Sequence, residues 1–387
     1  MAKVPLFITR YSLSPKNAIG VQTNQLLQPQ SDWLQFYWSS KDLLSRDSRS
    51  IRIENALFSR VSFFQNDNEH VRRLQRLGAG WWECDRLRPE RARWLLEKYQ
   101  HRVSSIYAAP LEKRDARRIR QIIEIFNVPF VLHLWDFLDS RICGSEDLVW
   151  LLERAAKVFC LSQPMLDEVS GIRADAEVLL FSRKPSRTIA VAPANRTLRI
   201  VMIGNIYSYR HGLDLLDQAI QRLTARGLGV SVCYLGPAKA LRSLESALVR
   251  KVQPLGFVKG DEGRDRELSK CHVGFMPGPF TDPDIHMRSR YSIPSRILDF
   301  LATGLPIVGT VQPTSATGIF CETLGVHDDC FCGTPESIED ALAGLQNQSR
   351  WSIAAGKSRR AFDLLSRQSE PEKLKNALAR ALGNTVT

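Results

Sequence analysis

Short apolar runs alternate with longer amphipathic ones along the chain, and this alternation predicts strands joined by helices. Ser104-Ser-Ile-Tyr-Ala108 reads as a strand, Asp115 to Phe126 as a helix, and Pro129 to Leu134 as the next strand. The pattern returns after residue 197, with strands expected near 198–203, 230–235, 272–276 and 305–309. Such alternation is the mark of a parallel sheet wound by helices on both faces. The opening Met1-Ala-Lys-Val-Pro-Leu-Phe-Ile-Thr-Arg10 has an apolar run too short for a signal peptide and reads as a first buried strand.

Between the two series lies Ser182-Arg-Lys-Pro-Ser-Arg-Thr-Ile-Ala-Val-Ala-Pro-Ala-Asn195, rich in proline, basic and small residues, which reads as an interdomain linker. At the far end, Ser369-Glu-Pro-Glu372 has the form of a capping box, and Leu374, Ala377, Leu378 and Ala381 follow at helical spacing. At 387 residues the chain exceeds what one core usually organises. The expectation is therefore two doubly wound domains, 1–183 and 198–368, with a linker at 184–197 and a terminal helix at 369–387.

Composition narrows the class. A hydrophobic fraction of 44% and a charged fraction of 24% are those of a soluble globular protein, and no apolar run approaches a membrane span. A cytoplasmic location is expected. The eight cysteines are scattered, several of them in apolar segments where a thiol packs as a small hydrophobe. Cys330-Phe-Cys332 lacks the spacing of a zinc knuckle and has no second pair, so no metal is expected there.

Charge is uneven. Residues 71–120 hold fourteen Lys or Arg against six acids, a net of +8 within the chain's +12. Trp81, Trp82, Trp94 and Tyr99 are interleaved with them. Basic residues with aromatic anchors suit the headgroup region of an anionic bilayer, so peripheral attachment to the inner membrane face is expected of this segment. A solvated helix face is the plainer alternative.

The most informative stretch is Ser292-Ile-Pro-Ser-Arg-Ile-Leu-Asp-Phe-Leu-Ala-Thr-Gly-Leu-Pro-Ile-Val308. Ser292 can cap a helix, Pro294 fits its first turn, Gly304 ends it, and Leu305, Ile307 and Val308 begin a short strand. The positive helix end and the free backbone N–H groups of the stretch Ser292, Ile293, Pro294 and Ser295 would favour an anion such as a diphosphate. Arg296 adds a forked cation, and Asp299, one turn on, could accept from a ribose diol.

These residues resemble the P-S-K-x-x-E-x-L-A-x-G-x-P signature of retaining nucleotide-sugar glycosyltransferases of the GT-B fold, similar to family 4 of the group 1 type. Arg296 stands at the Lys position and Asp299 at the Glu position. The resemblance extends to Leu198-Arg-Ile-Val-Met-Ile-Gly204, to Gly212-Leu-Asp-Leu-Leu216, to Leu161-Ser-Gln-Pro-Met-Leu166 and to Phe130-Val-Leu-His-Leu-Trp-Asp136, covering roughly residues 120 to 345. It implies two Rossmann-like domains with a cleft between them, the first on the acceptor side, and a last helix that packs back on the first domain. It further implies transfer of a hexose from a nucleotide diphosphate sugar, with retention and without metal, to a saccharide or polyprenyl-linked acceptor in polysaccharide or glycoconjugate synthesis.

The same resemblance assigns the remaining candidates. Gly204, Asn205, Arg210 and His211 occupy the family's phosphate loop, where Asn205 replaces a usual Arg and Arg210 is the substitute charge. The family's first sugar-contacting Glu would fall at Tyr291, so Asp282 or Asp284 is the candidate replacement. Asp282-Pro-Asp284 is not read as the metal-binding Asp-x-Asp of the other glycosyltransferase fold. On the acceptor side His133 would lie beside the transferred sugar, with Asp136 or Asp139 near the acceptor hydroxyl; the alternative for His133 is a hydrogen-bonded core histidine. Gly20 would allow close backbone approach after the first strand. A GT-B-fold nucleotide-sugar epimerase is the nearest rival, and a basic nucleic-acid-binding protein is the rival of another class. The latter leaves Ser292 to Val308 unexplained.

Overall fold

In the computed structural model the described residues are 4–9, 25–26, 34–36, 100–111, 113–135, 144–193, 197–204, 206, 209–237, 241, 247–258, 260–278, 289–368 and 370–383. The chain divides into two compact units, Met1–Ser182 with Glu370–Thr387, and Arg183–Ser369.

The first unit contains β1 (Val4–Thr9), β2 (Leu34–Phe36), β3 (Val103–Ala109), α1 (Lys113–Phe126), β4 (Phe130–Leu134), α2 (Glu146–Arg154), β5 (Lys157–Cys160), α3 (Gln163–Val169) and β6 (Glu177–Val178). The strands form one parallel sheet in the order β2-β1-β3-β4-β5-β6. All five residues of β4 are buried, as expected of a strand covered on both faces. Ser145 caps α2 by accepting from the Leu148 N–H, and Glu146 and Asp147 complement the positive end of that helix.

The second unit runs β7 (Thr197–Ile203), α4 (Arg210–Ala225), β8 (Gly229–Leu235), β9 (Val252–Gly256), α5 (Asp261–Leu268), β10 (Val273–Met276), α6 (Arg296–Thr303), β11 (Ile307–Gly309), α7 (Ala316–Thr323), α8 (Pro335–Gly344) and α9 (Gln348–Arg367). Its sheet is also parallel, in the order β11-β10-β7-β8-β9. Two doubly wound parallel sheets are thus the architecture.

The last helix, α10 (Glu370–Gly383), belongs to the first unit. Its Leu374, Ala377, Leu378 and Ala381 join a core of Phe7, Tyr107, Val131, Trp135 and Phe159. Ser369, the expected capping residue, lies outside the described residues.

The stretch 184–197, expected as a linker, is otherwise placed. It falls within the second unit, where the Ala190 N–H donates to Thr303 O at 2.9 Å. Immediately before it, the Arg183 side chain is buried against Asp265 and Asp299. Proline, basic and small residues suggested a linker here, but the Ala190 hydrogen bond and the Arg183–Asp299 ion pair tie its described residues and the residue before them to α6.

Candidate functional site

In the second sheet the chain lays β8 and β9 to one side of β7, then crosses to place β10 on the other side. Such a reversal opens a crevice beyond the carboxyl ends of the two strands, where ligands of doubly wound folds bind. Because each helix returns the chain between parallel strands, α4 and α6 begin at this edge, with the positive ends of their dipoles towards it.

Glycines shape the edge. Gly204 follows β7 with φ +78°, a conformation glycine adopts without steric cost. Its carbonyl accepts from the Tyr234 hydroxyl at 2.5 Å. Burial pushes that hydroxyl up to about 12, so it stays a donor at neutral pH. Past β10, a Cβ on Gly278 would meet Thr310 O at 2.1 Å, and one on Gly212 would meet Thr310 Oγ1 at 2.5 Å. The first turn of α4 and the ends of β10 and β11 therefore meet with no room for side chains.

Arg296, the first residue of α6, reaches into this corner. Its Nη1 donates to Ile203 O at 2.9 Å, at the last residue of β7, and its guanidinium lies 5.1 Å from the centre of the Tyr209 ring. Tyr209 is the residue before α4. Arg296 thus ties the two helix starts and the β7 terminus together. Arg210 and His211 open α4; Arg210 is exposed and pairs with Asp214 one turn on at 3.7 Å. Asn205 lies outside the described residues.

Two expectations about α6 need correction. Ser292 does not cap the helix: α6 starts at Arg296 after Ser295, with its first turn tightened by Ile297 N–H to Pro294 O and Leu298 N–H to Ser295 O, both 3.1 Å. Pro294 precedes the helix rather than entering it, while Ile293 is buried and the Ser292 carbonyl accepts from Thr317 Oγ1 at 3.1 Å. Gly304 does end α6, at φ +69°. Asp299, expected to accept from a ribose diol, is only 8% exposed. Its Oδ1 lies 2.7 Å from Arg183 Nε and 3.0 Å from Arg264 Nη2. Burial raises its carboxyl above the usual range, an effect that the two guanidiniums oppose.

His133 also differs from its expected place beside a sugar. It is fully buried in the first unit. Its Nε2 donates to Leu179 O at 3.1 Å, so Nδ1 is the unprotonated nitrogen and accepts from Trp135 Nε1 at 2.7 Å and the Tyr107 hydroxyl at 2.8 Å. Burial holds its imidazole down at about 3. A neutral histidine with both nitrogens engaged inside a core has the place of the alternative reading, a hydrogen-bonded core histidine. Asp136, Asp139, Gly20, Asp282 and Asp284 lie outside the described residues, as do Trp81, Trp82, Trp94 and the arginines from Arg72 to Arg93.

Sequence reasoning missed Arg183, Arg264, Tyr209 and Tyr234. Asp261, Arg264 and Asp265 share one helical face at i, i+3, i+4, a signal that could have marked an ion-pair surface. Arg183 carried no local signal. Among the described residues no group of three or more His, Cys, Asp or Glu could hold a metal ion, and no helix is long and apolar enough to cross a membrane. Cys160, Cys233, Cys271, Cys321, Cys330 and Cys332 are buried free thiols.

Residues 197–347 match the family model of the group 1 glycosyl transferases. No curated protein matches the chain in sequence. Among solved structures, HepE of Anabaena with UDP and glucose superposes with a TM-score of 0.61 at 14% identity, covering 99% of this chain and 100% of that one. The lipopolysaccharide outer core galactosyltransferase WaaB, in its apo form, gives 0.56 at 10% identity over 98% and 99%. The UDP-forming α,α-trehalose-phosphate synthase of Burkholderia xenovorans, bound to glucose-6-phosphate, gives 0.59 at 12% identity over 98% and 100%. At these identities the likeness shows the two-domain GT-B fold, and within the second unit residues 197–347 are similar to the group 1 glycosyl transferases.

Proposed function

We propose that this GT-B glycosyltransferase moves a hexose from a nucleotide diphosphate sugar to a saccharide or polyprenyl-linked acceptor, with retention and without a metal ion. The observation that carries the donor half is Arg296 spanning the β7 terminus and Tyr209, at the edge where α4 and α6 begin. A diphosphate there would meet two helix N-termini and the cations of Arg296 and Arg210, which stabilise the charge that develops as the nucleotide leaves. Asp299 would accept from the ribose. Retention by attack on the face of the leaving phosphate, and the polysaccharide or glycoconjugate pathway, rest on the resemblance alone.

HepE was solved with UDP-glucose, and the trehalose-phosphate synthase is UDP-forming, which supports uridine diphosphate glucose as the first donor to test. The basic segment of residues 71–120 supports an anionic membrane surface as the place where a lipid-linked acceptor is met. The test is release of nucleoside diphosphate from UDP-, GDP-, dTDP- and ADP-sugars, with and without acceptor and with and without chelator. Transfer unaffected by chelator is expected. Turnover of donor to its epimer or to free sugar, with no acceptor dependence, would favour the epimerase reading.

A further inference from the structure

Five large apolar side chains are exposed among the described residues: Ile189, Val191, Phe257, Ile353 and Leu364. Single ones need no explanation, but Ile189 and Val191, at 50% and 63% exposed, stand two positions apart on one short segment. Between them Ala190 is buried, and its N–H donates to Thr303 O at 2.9 Å, at the end of α6. One residue inward and its two neighbours outward is the alternation of an extended stretch, so both aliphatic side chains point away from α6. Just before them the Thr188 N–H donates to Ser186 Oγ at 3.1 Å, and that hydroxyl donates to Thr188 O at 2.7 Å. The segment is held in place, and little ordering is left for a partner to impose.

The charge around this pair has one sign. No acid occurs from Val178 to Leu213, and Lys184 and Arg187 are exposed with no ion pair among the described residues. Exposed Arg359 of α9 extends the basic rim: a Cβ on Gly304, next to the Thr303 that holds Ala190, would meet Arg359 Cγ at 3.0 Å. Asp363 is the one acid of α9. We propose that Ile189 and Val191, rimmed by Lys184, Arg187 and Arg359, are a contact of the second unit with an anionic bilayer, the aliphatic side chains entering among the headgroups and the cations meeting lipid phosphates. This rests on the reading that the chain works at an anionic membrane, carried above by residues 71–120, and adds to it a separate surface. Other occupants lack complementarity. A second copy would bring like charges together, as would the chain's own residues 71–120 at net +8. Nucleic acid would use the cations, but the segment offers no ring for a base to stack on and two aliphatic side chains that a phosphate backbone does not need.

The test is flotation of the full-length protein with vesicles of phosphatidylcholine, alone or mixed with phosphatidylglycerol, at low and at physiological salt. Wild type should float with the mixed vesicles only, and less as salt rises. Ile189→Ser with Val191→Ser, and separately Lys184→Glu with Arg187→Glu, should each weaken binding by about tenfold. Both double variants should keep the wild-type melting temperature, since all four side chains are exposed. Ile189→Trp should strengthen binding, because an indole settles at the headgroup level. Phe257→Ser should leave it unchanged: Phe257 follows β9, at the opposite edge of the sheet from the β11 that follows α6. Wild-type binding that neither double variant weakens, or that Phe257→Ser weakens equally, overturns this contact while the membrane reading stands. Loss of DNA binding or of self-association in the double variants, with vesicle binding kept, overturns it in favour of that partner. Failure of the wild type to bind either vesicle removes the membrane reading and this contact with it.

Discussion

Two buried polar clusters, one in each unit, hold residues that the sequence marked for chemistry, and they differ in how completely their atoms are used. Around His133, both ring nitrogens are taken by Leu179, Trp135 and Tyr107 inside a sealed core. Around Asp299, one carboxylate oxygen is anchored by two arginines, and among the described residues the other takes no ion pair and three guanidinium nitrogens have no hydrogen bond. A network that satisfies itself specifies a fold, whereas one with spare capacity keeps atoms for a further partner. The difference separates two residues that composition and motif treat alike.

The sharpest test of the first cluster is acid. The folded His133 titrates at about 3, against about 6.5 in an unfolded chain. Its contribution to stability is complete above pH 6.5 and is lost as pH falls through that window, because only the unfolded chain takes up the proton. The loss should reach on the order of 3 kcal/mol by pH 4. In His133→Gln, which can still donate to Leu179 and accept from Trp135, the dependence of unfolding free energy on pH should flatten between 6.5 and 4. An unchanged slope would mean that His133 is not the sealed group described.

The Asp299 cluster should respond less in stability and more in binding. Removing one partner of a buried ion pair costs about 3–5 kcal/mol when the other is left alone. Arg183 and Arg264 each keep a second acid, Asp265 and Asp261, so Asp299→Asn should cost about 2 kcal/mol in denaturant titration. A wild-type melting curve would show that the ion pairs contribute nothing.

What the sequence disclosed follows from range. Strands such as β4 and β7 were legible because burial on both faces demands a mostly apolar run, broken only by His133 in β4 and by Thr197 and Arg199 at the start of β7, and Gly304 was legible because glycine is the residue that ends a helix in the left-handed conformation without steric cost. Arg183 was not legible, since its partner Asp265 is 82 positions away and its own segment has the composition of a linker. His133 could be read either way from its strand alone. Tyr107 on the neighbouring strand β3, together with the carbonyl of Leu179, decides the matter, and only the sheet brings them together.

The smallest structural effect is expected at Arg210. Its side chain is exposed and its pair with Asp214 is a surface pair within one helix, so Arg210→Ala should change stability by less than about 0.5 kcal/mol. Turnover, however, should fall about a hundredfold if the cation meets the leaving diphosphate. Full turnover would confine Arg210 to the helix surface.

The central claim is that Arg296, at the meeting point of β7, α4 and α6, forms part of a nucleoside diphosphate site. It is tested most directly by calorimetric titration of UDP, GDP, ADP and CDP into wild type and Arg296→Ala, with thermal unfolding recorded on the same samples. One nucleotide should bind the wild type, and the folded variant should bind it at least tenfold more weakly. Undiminished affinity in a folded Arg296→Ala protein would contradict the account.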